Sequence, residues 1–162
     1  MEINKEKLFL EWVYKNSNNN LVCLDIGSNK GFYSEMLIDV LRDKLEHLYC
    51  YEPVEKNYNV CIDKFENNEK VTLLMKACSN KNESKSFFQI IADNIGDEGL
   101  SSLNYRNVFK NYNCQKISVD CIVLNDFLQI DSEKDMFVKI DVEGHELEVL
   151  EGMSMFFKSG QV

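Results

Sequence analysis

The sequence predicts an α/β fold: an open, mainly parallel sheet flanked by helices, forming a single domain over residues 1–162. Three observations lead there. Short continuous apolar runs of the kind buried on both faces of a parallel sheet alternate with segments of 3.6-residue period. Two glycines four residues apart, Gly27 and Gly31, corner the junction between the first such run and the periodic segment after it. With 44% apolar and 11% aromatic residues, the chain has enough material for a core of its own.

Taken in order, Leu8, Trp12 and Val13, with Phe9 beside them, recur at helical spacing, so the N-terminal segment reads as an amphipathic helix stopped by the polar tract "KNSNNN". "LVCLDIG" is the first strand. From Gly31 onward Phe32, Met36, Leu37, Val40 and Leu41 return to a helical period and form the first crossover helix. "HLYCYEP" is a second strand, ended by the only proline, Pro53, and Val54, Tyr58, Cys61, Ile62 and Phe65 mark one face of a second helix. "VTLLMKACS" is a third strand. Between Asn80 and Gln115 the rhythm changes: "SKSFFQIIA" reads as an extra strand and "DNIGDEGLSSLNYRN" as a long loop. Part of it, "GDEGLSSLN", is placed to close over a pocket, with Ser101 and Ser102 reaching a bound molecule. "KISVDCIVL" resumes as a strand, "NDFLQI" is a helical turn, and residues 136–142 form a buried strand leading through Glu143, Gly144 and His145 into a helix. Leu147, Leu150, Met153 and Phe157 are that helix's expected inner face. Right-handed βαβ units of this kind place ligands at the carboxyl ends of the strands.

Composition excludes several classes of partner. A net charge of −9 repels phosphate backbones and anionic membrane surfaces, which argues against nucleic acid. The six cysteines contain no CxxC pair and several sit in apolar runs, so they read as reduced core residues and neither a zinc site nor a disulfide framework. "MEINKEKLFLEWVYK" is charged throughout, unlike a signal peptide, and no apolar stretch reaches membrane-span length; a cytoplasmic location is the expectation.

The first turn narrows the ligand. A dinucleotide fingerprint needs G-x-G-x-x-G, whereas this chain offers D-x-G-x-x-x-G with Asn29 in place of a middle glycine, which weakens a pyrophosphate reading. An acidic residue upstream of the turn suits a ligand that is cationic or rich in hydroxyls. Glu52 ends the second strand, 21 residues after Gly31, where a carboxylate can accept hydrogen bonds from both hydroxyls of a ribose. Asp25, Gly27, Gly31 and Glu52 together suggest S-adenosylmethionine.

Further along, "LDIGSNKGFYS", "YEPVEKNYNVCIDKFENN", "LLMKACSN", "GLSSLN", "CIVLNDFL" and above all "FVKIDVEGHELEVLEGM" follow one another between Leu21 and about Phe157. In these motifs and their order the chain resembles the FkbM-type methyltransferases, within the class I S-adenosylmethionine-dependent methyltransferases. The resemblance implies a Rossmann-like class I methyltransferase fold. It also implies that Asp25, Gly27, Ser28, Asn29 and Gly31 line the methionine and ribose side of the cofactor, that Glu52 binds the ribose, and that Ala77 lies near the adenine. The acceptor it implies is a hydroxyl of a sugar, glycolipid or polyketide-like metabolite. Ser28 stands where alanine is usual, and Asn125 where aspartate is more frequent. A full fold of that class has seven strands, so the expectation is a sheet truncated after its fourth βα unit, with an exposed edge available for self-association. A cofactor-binding domain without turnover is the alternative function.

Lys139, Asp141 and Glu143 alternate along one side of the fourth strand of the parallel series. Charges at period two on a buried strand are costly unless paired or facing a cleft. One reading makes Lys139–Asp141 a structural ion pair; the other puts Asp141 beside the reacting groups, as both a cofactor contact and a catalytic residue. His145, at the helix start, is the candidate general base for a hydroxyl, with Glu143 as a substitute. No resident metal is expected, although Asp141, Glu143 and His145 could in principle hold a divalent cation.

Overall fold

The computed structural model describes residues 4–17, 19–91, 100–131, 133–160 and 162. Four strands, β1 (Leu21–Ile26), β2 (Leu45–Tyr51), β3 (Val71–Leu74) and β7 (Asp135–Ile140), form a parallel sheet in the order β3-β2-β1-β7. Every residue of β1 is buried, as its position between β2 and β7 requires. Among the described residues β7 pairs with β1 alone and forms the sheet edge.

Helices cover both faces. On one side α1 (Lys5–Asn16) and α2 (Phe32–Leu41) press Leu10, Leu37, Val40 and Leu41 onto Cys23, Leu48 and Cys50. α3 (Glu55–Phe65) runs back from β2 to β3 and brings Phe65 and Cys61 against Gly31. On the opposite face α4 (Leu124–Phe127), α5 (Glu146–Gly152) and α6 (Ser154–Lys158) contribute Leu124, Val149, Met153 and Phe156 to a core with Val22, Leu24, Ile26 and Tyr51. Asn125 ties two of these helices together, its side-chain oxygen accepting from Met155 N at 3.1 Å. Gly152 is required by close approach: a Cβ there would stand 2.0 Å from the carbonyl oxygen of Ser79.

Three expectations change. The single strand read in "VTLLMKACS" is two short strands in different sheets, because the chain turns outward at Met75 and Lys76. β3 stays with β2, while β4 (Ala77–Cys78) pairs parallel with β6 (Cys114–Ile122), and Lys76 meets Asp120 at 2.8 Å. β6 in turn pairs antiparallel with β5 (Glu83–Ile90), giving a second sheet ordered β4-β6-β5. On α1 the buried residue is Leu10, while Leu8, Phe9 and Trp12 are exposed. Past β7 the inner face is Val149, Met153 and Phe156, at spacings of four and three; Leu147, Leu150 and Phe157 point outward. All six cysteines are free thiols, five of them buried. Among the described residues no helix is long and apolar enough to cross a membrane.

Candidate functional site

The carboxyl ends of β1, β2 and β7 converge on the turn at residues 27–31. Gly27 (φ 80°) leaves β1 in the left-handed region, and a Cβ on it would lie 2.0 Å from the Asp141 carbonyl oxygen, so only glycine lets β7 end this close. Gly27 N and Ser28 N both donate to the Tyr51 carbonyl at 3.0 Å, fixing the turn to β2. Asn29, also at positive φ, donates its N–H to Glu52 Oε2 at 2.8 Å, and Val54 N donates to Glu52 Oε1 at 2.9 Å. Glu52 is therefore a nearly buried carboxylate held by two backbone donors. Burial pushes its carboxyl up to about 7, against the opposing pull of those donors.

Two cavities meet at this turn. The first, of about 200 Å³, lies between the parallel sheet and the inner face of the β4-β6-β5 sheet. Its lining is largely apolar, with Ile26, Ala77, Phe87, Leu103 and Val142, and includes the polar side chains of Asn29, Glu52, Asn57 and Asp141. The Tyr51 hydroxyl and Asn29 Oδ1 are buried and have no hydrogen-bond partner, although both residues line this cavity. Sequence reasoning missed Tyr51. The available signal was a hydroxyl-bearing ring at a buried strand end, where its O–H needs a partner. The second cavity, of about 920 Å³, opens on the other side of the turn between α1, α2 and β7. Gly27, Asn29 and Asp141 line both.

The remaining candidates divide. Ser28 is buried and lines only the second cavity; Gly31 lines neither and packs on Phe65 and Cys61. Asp25 is fully buried and lines neither: Oδ2 accepts from Ser34 Oγ at 2.6 Å, and Oδ1 lies 3.0 Å from Lys139 Nζ. Lys139 also donates to the Gly27 carbonyl at 2.9 Å, with Asp141 Oδ2 farther off at 3.7 Å. The ion pair foreseen between Lys139 and Asp141 is thus primarily one between Lys139 and Asp25, directly opposed in the β1–β7 register. Asp141, with 62% of its side chain exposed, faces the cleft where the two cavities meet.

His145 does not reach either cavity, which corrects its reading as general base. Its ring is fully buried between α5 and β4, Nε2 lies 3.0 Å from Ser79 Oγ, and Nδ1 lies 3.4 Å from Glu148 Oε2. Burial lowers its pKa, with Glu148 opposing, so the ring is held neutral as a tether. Glu143 is paired with Arg106, and no group of three metal-competent side chains occurs among the described residues, so Asp141, Glu143 and His145 do not converge on a cation. Of the segment expected to close over the pocket, residues 96–99 lie outside the described residues. Ser102 is buried, donating to the Glu143 carbonyl at 2.8 Å, whereas Ser101 lines the first cavity and accepts from Ile90 N at 2.9 Å.

This architecture matches the crystal structure of Methyltransferase FkbM from Methylobacillus flagellatus with a TM-score of 0.55 and 18% identity, covering 84% of this chain and 29% of that one. The fold is that of the class I methyltransferases. The Methyltransferase FkbM domain profile matches residues 25–162, and the chain belongs to that family. It spans 29% of the length of the Methylobacillus chain. The 23S rRNA methyltransferase ErmE matches 46% of this chain and 29% of its own at 13% identity, with a TM-score of 0.35. None of the curated proteins matches the chain.

Proposed function

We propose that the first cavity binds S-adenosylmethionine and that this methyltransferase domain methylates a hydroxyl oxygen of a sugar, glycolipid or polyketide-like metabolite. The observation that carries the reading is the Glu52 carboxylate lining a largely apolar pocket whose buried Tyr51 hydroxyl and Asn29 amide oxygen have no partner. A ribose has two donors for Glu52, and a purine has the flat apolar faces and edge nitrogens that suit the wall beside Ala77 and Tyr51. The residues present therefore fit an adenosine-containing ligand. When bound, S-adenosylmethionine supplies a methyl on sulfonium sulfur, which passes to the acceptor oxygen as the C–S bond breaks and its electron pair stays on sulfur.

The chain's own residues then have distinct tasks. Gly27, Ser28, Asn29 and Gly31 shape the turn, while Asp25 acts from beneath it through Lys139 and the Gly27 carbonyl. Asp141, exposed at the shared wall, is the group positioned to orient the acceptor hydroxyl and take its proton. Its carboxylate also favours a cationic centre nearby.

Titration calorimetry with S-adenosylhomocysteine tests the cofactor reading. The expected result is one-site binding that Tyr51→Phe weakens about five-fold, the loss of one hydrogen bond. A folded chain that binds no S-adenosylhomocysteine would overturn it. Labelled methyl transfer to hydroxyl, amine and RNA acceptors tests the other half: preference for nitrogen or RNA refutes O-methylation.

A further inference from the structure

The first cavity is bounded in part by a strap, residues 100–106, whose Leu100, Ser101 and Leu103 line it together with Asp141, Val142 and Glu143 of the turn after β7. The two sides of this strap are held differently. Ser102 exchanges two backbone hydrogen bonds with Phe88 of β5, at 2.8 and 3.1 Å, and Leu103 packs with Phe87, Val119 and Cys121, so the strap belongs to the second sheet. Its joint to the turn is made by side chains. Ser102 Oγ donates to the Glu143 carbonyl at 2.8 Å, Asn104 Nδ2 donates to the Gly144 carbonyl, and the Arg106 guanidinium pairs with the Glu143 carboxylate. Arg106 and Glu143 keep 33% and 26% of their side chains in solvent, so water and salt reach the pair. A joint of this kind parts more readily than a strand ladder.

At about 200 Å³ the cavity is smaller than the roughly 300–1,000 Å³ of pockets that enclose drug-sized ligands, so an adenosine-containing ligand needs a wall that gives way. We propose, resting on the reading of the first cavity as the cofactor site, that the joint between residues 102–106 and the turn at 142–144 is the latch of this pocket. Arg106, which lines neither cavity, then sets the rate at which the cofactor enters and leaves. A latch that is shut in both the free and the loaded chain slows association and dissociation alike, because each waits for the open form. Affinity is almost indifferent to it. A residue that only shapes the bound site acts otherwise, since its loss shows chiefly in dissociation.

Stopped-flow binding of S-adenosylhomocysteine to the 162-residue chain reads both rates. Arg106→Gln should speed association and dissociation by about five-fold each, the worth of a half-exposed ion pair, with Kd within about two-fold of the parent. Asn104→Ala, which leaves the net charge unchanged, should move both rates in the same direction, and Arg106→Lys should restore much of the parent's behaviour. Raising salt from about 0.05 to 0.5 M should speed exchange in the parent and not in Arg106→Gln. In the ligand-free chain the amide of Asn104, which donates to Ser102 Oγ at 3.1 Å, should exchange hydrogen faster in Arg106→Gln, while that of Ser102, bonded to Phe88, keeps the parent rate. Parental rates in both Arg106→Gln and Asn104→Ala overturn the latch, and so does a loss of affinity carried by dissociation alone. If the folded parent binds no S-adenosylhomocysteine, the cofactor reading falls and hydrogen exchange at Asn104 decides the joint: faster exchange in Arg106→Gln upholds its opening, and equal exchange refutes it.

Discussion

If Glu52 holds the ribose of the proposed cofactor, binding of an adenosine-type ligand depends on pH, and the size of the effect follows from the burial of that carboxyl. Its carboxyl is raised from 4.5 to about 7 in the ligand-free chain, with desolvation outweighing the donors at Asn29 N and Val54 N. In that reading the ionised form would accept both ribose hydroxyls, and the protonated form would have lost part of that capacity. If the anion is the competent form, apparent affinity at pH 5.5 falls about 30-fold below its value at pH 8, a tenfold loss for each unit below the folded pKa. Calorimetry of S-adenosylhomocysteine in buffers of different ionisation enthalpy should then record release of roughly half a proton at pH 7. Stability of the ligand-free chain runs the other way. The folded state holds this proton to a higher pH than the unfolded state, so between about 4.5 and 7 the unfolded chain binds fewer protons and stability falls as pH rises, by about 3 kcal/mol in all. Glu52→Gln cannot ionise, so it should flatten both profiles after ligand and buffer terms cancel in the comparison. Equal pH slopes in the parent and Glu52→Gln would refute the assignment of this linkage to Glu52.

Two further outcomes follow from the buried polar contacts. Lys139→Met leaves Asp25 buried without a charge partner and should destabilise the chain by about 3–5 kcal/mol in urea unfolding, with more than half recovered when Asp25→Asn is added; a single-variant loss under about 1 kcal/mol would contradict the pairing. His145→Ala should cost about 2–4 kcal/mol through the lost packing and the Ser79 contact, while S-adenosylhomocysteine affinity stays within about two-fold. Retained stability with abolished methyl transfer would instead restore His145 as the general base.

How far the fold could be read from sequence depended on how much each pattern left to tertiary context. β1 is buried on both faces, and its unbroken run "LVCLDI" permits little else. Helix α1 is different, because Leu8 and Trp12 form a stripe as regular as that of Leu10, Val13 and Tyr14. Periodicity shows that stripes exist; only packing selects the second, with Leu10 buried on the sheet and Phe9 left against Trp12 and Phe137 at its edge. The same ambiguity misassigned the inner face beyond β7. The break at Met75 and Lys76 is silent in an apolar run, since the residues that draw the chain away, Asp120 and Cys121 of β6, lie over forty positions downstream.

The candidate site shows the same division in its charges. Asp25, Lys139, Asp141 and Glu143 all stand near strand ends, and in sequence each could equally serve a ligand. Pairing removes three of them: Lys139 neutralises Asp25 across the β1–β7 register, and Arg106 takes Glu143. What remains facing open space is Asp141 at the wall between the cavities, with the partly protonated Glu52 some way around the turn. An exposed carboxylate there, with the nearest ammonium already committed to Asp25 and the Gly27 carbonyl, gives the shared wall a local negative field. Under the proposed cofactor reading, a sulfonium cation would be favoured at such a wall over its neutral thioether product, and the arrangement that Lys139 enforces would then favour release of the product.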